Sequence, residues 1–189
     1  KTSWDGLIPA LQSGKIDMIV AGMSPTAERL EAIDFSDRYY TSDVVIVVKQ
    51  DSSWVDAKSL ADFEGAKITA QISTNHYDKF LGQIPGVDKQ TALPDFPTMI
   101  LALKSDKVDG YISERPGALS AVASNPDLTF VDFEQGQGFD VNETDMALSV
   151  GLKKGSDLLA GVNQALAAIP EEKRQELMQQ AVKEQPEAE

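Results

Sequence analysis

Cysteine is absent from the 189 residues, which removes disulfides, thiolate zinc sites, iron–sulfur clusters and a cysteine nucleophile from consideration. A single histidine, His76, excludes a multi-histidine metal centre as well. Basic residues are scarce: 17 Lys and Arg face 30 Asp and Glu, a formal net charge of -13. Such a chain repels a polyanion, so nucleic acid is not an expected partner. No unbroken apolar run is longer than Val44 to Val48, far short of the roughly 20 residues that cross a bilayer as a helix. The chain opens on Lys1-Thr2-Ser3-Trp4, neither an initiator methionine nor a signal peptide, and the expectation is that something upstream has been removed. What is present, 42% hydrophobic and 25% charged residues, is enough to build a packed core.

Helical and strand patterns alternate with short connections, which predicts an α/β protein with largely parallel strands. Trp4, Leu7, Ile8 and Leu11 mark one face of a helix over 4–13, closed by Gly14 and followed by a strand over 17–22. Ser24 as N-cap and Pro25 as first helical residue predict a helix over 25–32. Residues 35–40 read as a polar and aromatic connection, and 44–49 as a strand buried on both faces. Then follow a short helix over 59–63, a strand over 67–71, and helices over 75–81 and 95–105. A strand over 108–113, a proline-initiated helix over 116–123 and a strand over 128–132 complete this series. Residues 134–144 read as a loop, 146–153 as a strand, 156–169 and 171–183 as helices parted by Pro170, and 184–189 as a fraying tail.

Two stretches, 19–29 and 108–119, share a plan of strand, loop and proline-initiated helix. Such helix starts present free N–H groups that suit a carboxylate or phosphate, and a ligand held between two of them is the simplest functional reading. Gly136 and Gly138 lack the third glycine and the strand-to-helix setting of a dinucleotide loop. His76 stands too close in sequence to Ser73 and Thr74 for a converging base and nucleophile, and there is no nucleophile elbow. Glu134 and Asp140 read as solvated surface charge rather than a catalytic pair.

Arg29 lies one turn into its helix and can turn back toward Gly22, Ser24 and Thr26. It either holds a carboxylate in a bidentate pair or pairs on the surface with Glu28, Glu31 or Asp34. Glu114 closes its strand just before Pro116 and either caps the following helix or receives an ammonium. Trp4 is either core or one wall of a pocket. Gln71, Ser73, Thr74 and Asn75 form a polar strand-to-helix junction, a ligand surface or an N-cap cluster.

Longer motifs carry a resemblance. Trp4-Asp5-Gly6-Leu7-Ile8-Pro9-Ala10-Leu11, Gly14-Lys15-Ile16-Asp17-Met18-Ile19, Ala21-Gly22-Met23-Ser24-Pro25-Thr26-Ala27-Glu28-Arg29 and Ile33-Asp34-Phe35-Ser36-Asp37-Arg38-Tyr39-Tyr40 follow one another. Leu60-Ala61-Asp62-Phe63-Glu64-Gly65, Gln71-Ile72-Ser73-Thr74, Ala102-Leu103-Lys104 with Val108-Asp109-Gly110, and Lys154-Gly155-Ser156 continue the series. In order and spacing the chain resembles the polar amino-acid-binding proteins of ABC importers, solute-binding protein family 3, over essentially its whole length.

The resemblance implies a bilobal periplasmic-binding-protein type 2 fold, two Rossmann-like lobes joined by two crossings that close on an amino acid as a hinge. Lobe one comprises residues 1–43 and 145–189, and lobe two residues 44–144. Arg29 is then the carboxylate clamp, helped by the amides around Ser73, Thr74 and Asn75. The Gly22 carbonyl beside Met23, the Ser24 hydroxyl and Glu114 hold the ammonium, Trp4 is an aromatic wall, and Gln71 tunes specificity. No cofactor, metal or catalytic group is called for. The implied partners are a small-molecule amino acid and an ABC permease, with the protein extracytoplasmic: in a periplasm, at a cell surface, lipid-anchored or fused to its permease. Two alternatives share the fold, an amino-acid-sensing receptor domain and a cyclohexadienyl dehydratase-like enzyme. Two residues depart from the family pattern: Ile72 stands where glycine is frequent, and Glu114 where aspartate is commoner. The family's first strand, helix and strand of lobe one have no counterpart before Trp4. Lobe one is therefore expected to be incomplete, with an open sheet edge and an apolar face that favour self-association.

Overall fold

The computed structural model describes residues 2–184. The described residues divide into two compact units: unit one holds residues 2–42 and 141–181, and unit two holds 43–140 with 182–184.

In unit one, a single 3-10 turn over Trp4–Gly6 leads into α1 (Leu7–Gln12), then β1 (Met18–Met23), α2 (Ala27–Ala32) and β2 (Ile33–Thr41). Leu11, Ile19, Met23 and Ile33 form its buried cluster, with Trp4, Leu7 and Ile8 packed against it. This is the face that the apolar spacing of the first helix predicts. The remaining strand of this unit comes from far along the chain.

Unit two begins with β3 (Val44–Lys49), in which Val45, Ile46, Val47 and Val48 are at most 1% exposed. A 3-10 turn over Leu60–Phe63 follows, held by a reciprocal cap between Ser59 and Asp62, and then β4 (Lys67–Thr69). A π-helical turn over His76–Phe80, a 3-10 turn over Leu81–Gln83 and β5 (Asp88–Lys89) lead to α3 (Phe96–Lys104), whose Asp95 cap accepts from the Thr98 amide. The unit closes with β6 (Gly110–Glu114), α4 (Arg115–Ser124) and β7 (Leu128–Val131). Its sheet order is β5-β4-β6-β3-β7, with Val45, Val47, Met99, Leu103, Tyr111 and Leu128 in one core.

The chain then returns to unit one through α5 (Glu143–Met146), β8 (Ala147–Lys153), α6 (Leu158–Ala167) and α7 (Glu171–Glu184). β8 lies between β1 and β2, antiparallel to both. No described helix is long and apolar enough to cross a membrane. Residues 185–189, most of the expected fraying tail, lie outside the described residues.

Four expectations need correction. Among the described strands, parallel pairing is limited to β4 with β5 and β4 with β6, extended by a single parallel bridge between Gln71 and Leu93; β3 is antiparallel to β6 and β7, and every pair in unit one is antiparallel. α4 does connect two strands of one direction, β6 and β7, but β3 sits between them, so alternation of helix and strand did not reveal sheet neighbours. The expected connection at 35–40 is part of β2, whose two register shifts between Phe35 and Tyr40 disrupt the period-two pattern. The α2 cap is Thr26, whose hydroxyl accepts from the Arg29 amide at 3.4 Å, and not Ser24. The loop at 134–144 ends in α5, capped by Asn142 and Asp145.

Candidate functional site

In unit one the site residues are set by a bulge. The register between β1 and β8 shifts between Ile19 and Met23, and Gly22 has φ +67°, a conformation that costs an L side chain energy. Its N–H donates to Tyr39 Oη at 3.0 Å, which fixes the direction of the chain entering Ser24. Ser24 is buried; its Oγ donates to the Asp145 carbonyl at 3.0 Å, so the hydroxyl offers lone pairs to any further partner and is an acceptor for an ammonium. The Ser24 carbonyl accepts from Arg29 Nη1 at 3.0 Å. The guanidinium carbon lies 5.6 Å from the centre of the Trp4 ring, within cation–π range. Trp4 is thus both a flank of the core and a platform for the cation. Asp34, one of the expected surface partners of Arg29, pairs with Lys154 at 2.9 Å and accepts from the Gly155 amide at 2.7 Å, which hold its carboxyl below the usual range. Met23 is 1% exposed in the cluster of Leu11, Ile19 and Ile33, so its side chain belongs to the core and only its backbone can meet a ligand.

In unit two the junction after β4 is tightly hydrogen-bonded. The Gln71 amide nitrogen donates to the Pro94 carbonyl at 3.0 Å, and Thr74 Oγ1 donates to the Gln71 carbonyl at 2.6 Å. Both residues are buried. With its hydroxyl proton so engaged, what Thr74 can give a carboxylate is its backbone N–H. Ser73 is exposed and has φ +60°, a left-handed conformation uncommon outside glycine. Asn75 Nδ2 is buried with no hydrogen-bond partner among the described residues, an unmet donor beside Thr74.

Glu114 stands at the N-cap position of α4, yet its carboxylate makes no cap hydrogen bond, so the capping alternative fails. Burial pushes its carboxyl up to about 7, eased only by a hydrogen bond to its own backbone. Tyr111 Oη is also buried without a partner among the described residues, and burial together with the Glu114 charge raises its pKa. Arg115 is not the counter-ion of Glu114: its guanidinium pairs with Asp43 and Asp132. A partly exposed but desolvated carboxyl that forms no ion pair among the described residues is suited to a ligand that brings a cation.

Residues 1–184 match the sequence profile of the bacterial extracellular solute-binding proteins, family 3. The chain belongs to that family. It is 36% identical over 141 residues to the probable histidine-binding protein of Campylobacter jejuni, which covers 74% of this chain and 54% of that protein. With the L-cystine-binding protein TcyJ of Escherichia coli it shares 30% identity over 168 residues, 89% of this chain and 60% of the other. An amino acid ABC transporter substrate-binding protein from Streptococcus pneumoniae, solved bound to L-arginine, superposes with a TM-score of 0.84 at 30% identity, over 96% of this chain and 74% of that one. The fold is the type 2 periplasmic-binding-protein fold. The chain spans between about half and two thirds of the length of these curated relatives.

In this member of the family the structure brings Trp4, Gly22, Ser24 and Arg29 together in unit one, and Gln71, Thr74 and Asn75 together in unit two, with Glu114 at the end of a neighbouring strand. Sequence reasoning missed Tyr39 and Asp145, which hold Gly22 and Ser24. Asn142 with Asp145 was a readable capping signal for α5; the bonds that reach back to Ser24 and across to Tyr39 had no local signature.

Proposed function

We propose that this protein is the ligand-capturing component of an ABC importer: it takes up a polar L-amino acid outside the cytoplasm, passes it to a membrane permease, and makes or breaks no covalent bond. Lobe one, residues 1–43 and 145–189, supplies Arg29 for the ligand carboxylate, with the Ser24 hydroxyl and Gly22 carbonyl as acceptors and Trp4 as an aromatic wall. Lobe two, residues 44–144, supplies the Thr74 amide and the Asn75 donor for the carboxylate, Glu114 for the ammonium and Gln71 for side-chain choice. The observation that carries the reading is Arg29, half-buried, held by the Ser24 carbonyl and set against Trp4. Two opposite charges, Arg29 and a desolvated Glu114, suit a zwitterion better than a sugar or a metal ion. The names of relatives that bind histidine, cystine and arginine are consistent with a polar side chain.

We also propose that the protein self-associates through β1. It is an edge strand of the unit-one sheet as described, with Val20 63% and Met18 40% exposed, and such an edge is a template for a further strand.

The functional reading is tested by melting the protein with each of the twenty amino acids. A ligand at 100 times its dissociation constant adds about 2.7 kcal/mol of stability. A rise in Tm confined to one or a few polar amino acids is expected; no rise with any of them refutes the reading.

A further inference from the structure

Gly117 lies in the first turn of α4, three residues after Glu114. A Cβ at this position would stand 2.7 Å from Glu114 Oε1, 3.2 Å from its Cδ and 2.9 Å from Ser113 Oγ. The two approaches to oxygen are shorter than packed atoms tolerate and the third is tight, so the groups must move. The glycine's backbone is not in the left-handed region, and alanine is the better helix former in such a turn. Local conformation therefore gives no reason for glycine here; the space taken by the Glu114 carboxyl does. Gly161 in α6, with nothing within 4 Å of its missing Cβ, offers the contrast.

We infer that Gly117 is a positioning residue: its lack of a side chain is what allows the Glu114 carboxyl to fold back over the first turn of α4 and wait there for a ligand ammonium. The inference rests on Glu114 being the ammonium partner. The strand backbone beneath the carboxyl is held in the sheet, and only side-chain atoms face the missing Cβ. Ser113 is fully buried with its hydroxyl donating to the Glu114 carbonyl at 3.0 Å, and Glu114 itself pairs with Val44 in the sheet. What can move is the far end of the Glu114 side chain and, by a small rotation, the Ser113 hydroxyl. A substituent at 117 thus swings the carboxylate away while leaving helix and sheet intact. Arm length is part of the argument, because an aspartate at 114, one methylene shorter, does not reach the space above residue 117.

The test compares wild type, Gly117→Ala and the double variant Gly117→Ala with Glu114→Asp. In the ligand-free proteins the carboxyl at position 114 is titrated by carbon-13 NMR; affinities for L-arginine, L-histidine and L-cystine are then measured by calorimetry. In Gly117→Ala the Glu114 midpoint is expected to fall from about 7 toward the ordinary 4.5 as the carboxyl reaches water. Affinity should drop about 10- to 100-fold, as for loss of a hydrogen bond to a charged group, and Glu114→Asp should restore most of it. An unmoved midpoint, a double variant no better than Gly117→Ala, or a melting temperature well below wild type overturns the inference. A shifted midpoint in a protein that binds none of the twenty amino acids overturns the functional reading instead, and the titration alone then establishes what Gly117 does to the carboxyl.

Discussion

Glu114→Gln should change how the ligand-free protein responds to pH, and the structure sets the size of the effect. The carboxyl has an ordinary pKa of 4.5 and is raised to about 7 by burial in the fold. Between those two values the native state binds more protons than the unfolded state, so stability is fully present below 4.5 and is lost as pH rises through 7. The gap corresponds to about 3 kcal/mol. Glutamine has nearly the same shape and never ionises, so the variant escapes this loss. For a chain of this size each kcal/mol moves Tm by about 2–4 °C, so the variant should melt roughly 6–12 °C above wild type at pH 8 and within error of it at pH 4. Circular dichroism melts at half-unit intervals provide the curves, and subtracting one protein from the other removes every group they share. The carboxylates held below their usual range, Asp34, Asp62 and Asp127, contribute stability that is present above 3.8 and lost only as pH falls below it, outside this window. Parallel melting curves from pH 4 to 8, or a variant less stable throughout, would show that the Glu114 carboxyl is solvated and would remove the reason for seeking a cation beside it.

Arg29→Ala should abolish amino-acid binding at a cost of about 2–5 kcal/mol, the range for truncating one member of a buried charge pair; unchanged calorimetric affinity would take Arg29 out of the site. Asn75→Ala should leave the ligand-free melting temperature equal or higher, because it deletes an unmet buried donor that costs about 1–3 kcal/mol, while weakening ligand binding. A loss of ligand-free stability with undiminished affinity would make Asn75 a structural residue. Val20→Lys, at an edge position 63% exposed, should lower the sedimentation mass at high protein concentration; a wild-type protein that is monomeric at all concentrations refutes the self-association proposed for β1.

Legibility from sequence followed the range of the interactions. Arg29 and Trp4 come together in the sequence only through the family resemblance, which assigns both to one ligand site; the structure sets the guanidinium against the ring because α2 begins where Thr26 caps it. Runs buried on both faces, such as Val44 to Val48, reveal themselves as strands without alternation. β2 did not, because its bulges shift Ser36 and Arg38 out of period. Sheet order and strand direction were hidden for a different reason: β8 pairs with strands more than a hundred residues earlier, and no local pattern encodes that. The charge state of Glu114 and the role of Gly117 depend on what surrounds a side chain, which spacing alone does not report.

The central strand of unit one also imposes an order of events on synthesis. On the sides that face β8, β1 and β2 stay unpaired until that strand arrives between them, about a hundred residues after β2 ends. At roughly 5–20 residues per second, that is an interval of about 5–20 s in which Ile19 and Ile33 lack the β8 backbone they pack against at Gly151. The continuous stretch from Asp43 to Asp140 suffers no such delay and can fold as it emerges. Unit one is then completed by closing a very long loop, the slow kind of contact. A nascent chain stalled just before residue 147 should leave the facing edges of β1 and β2 open to any chaperone that binds extended apolar segments.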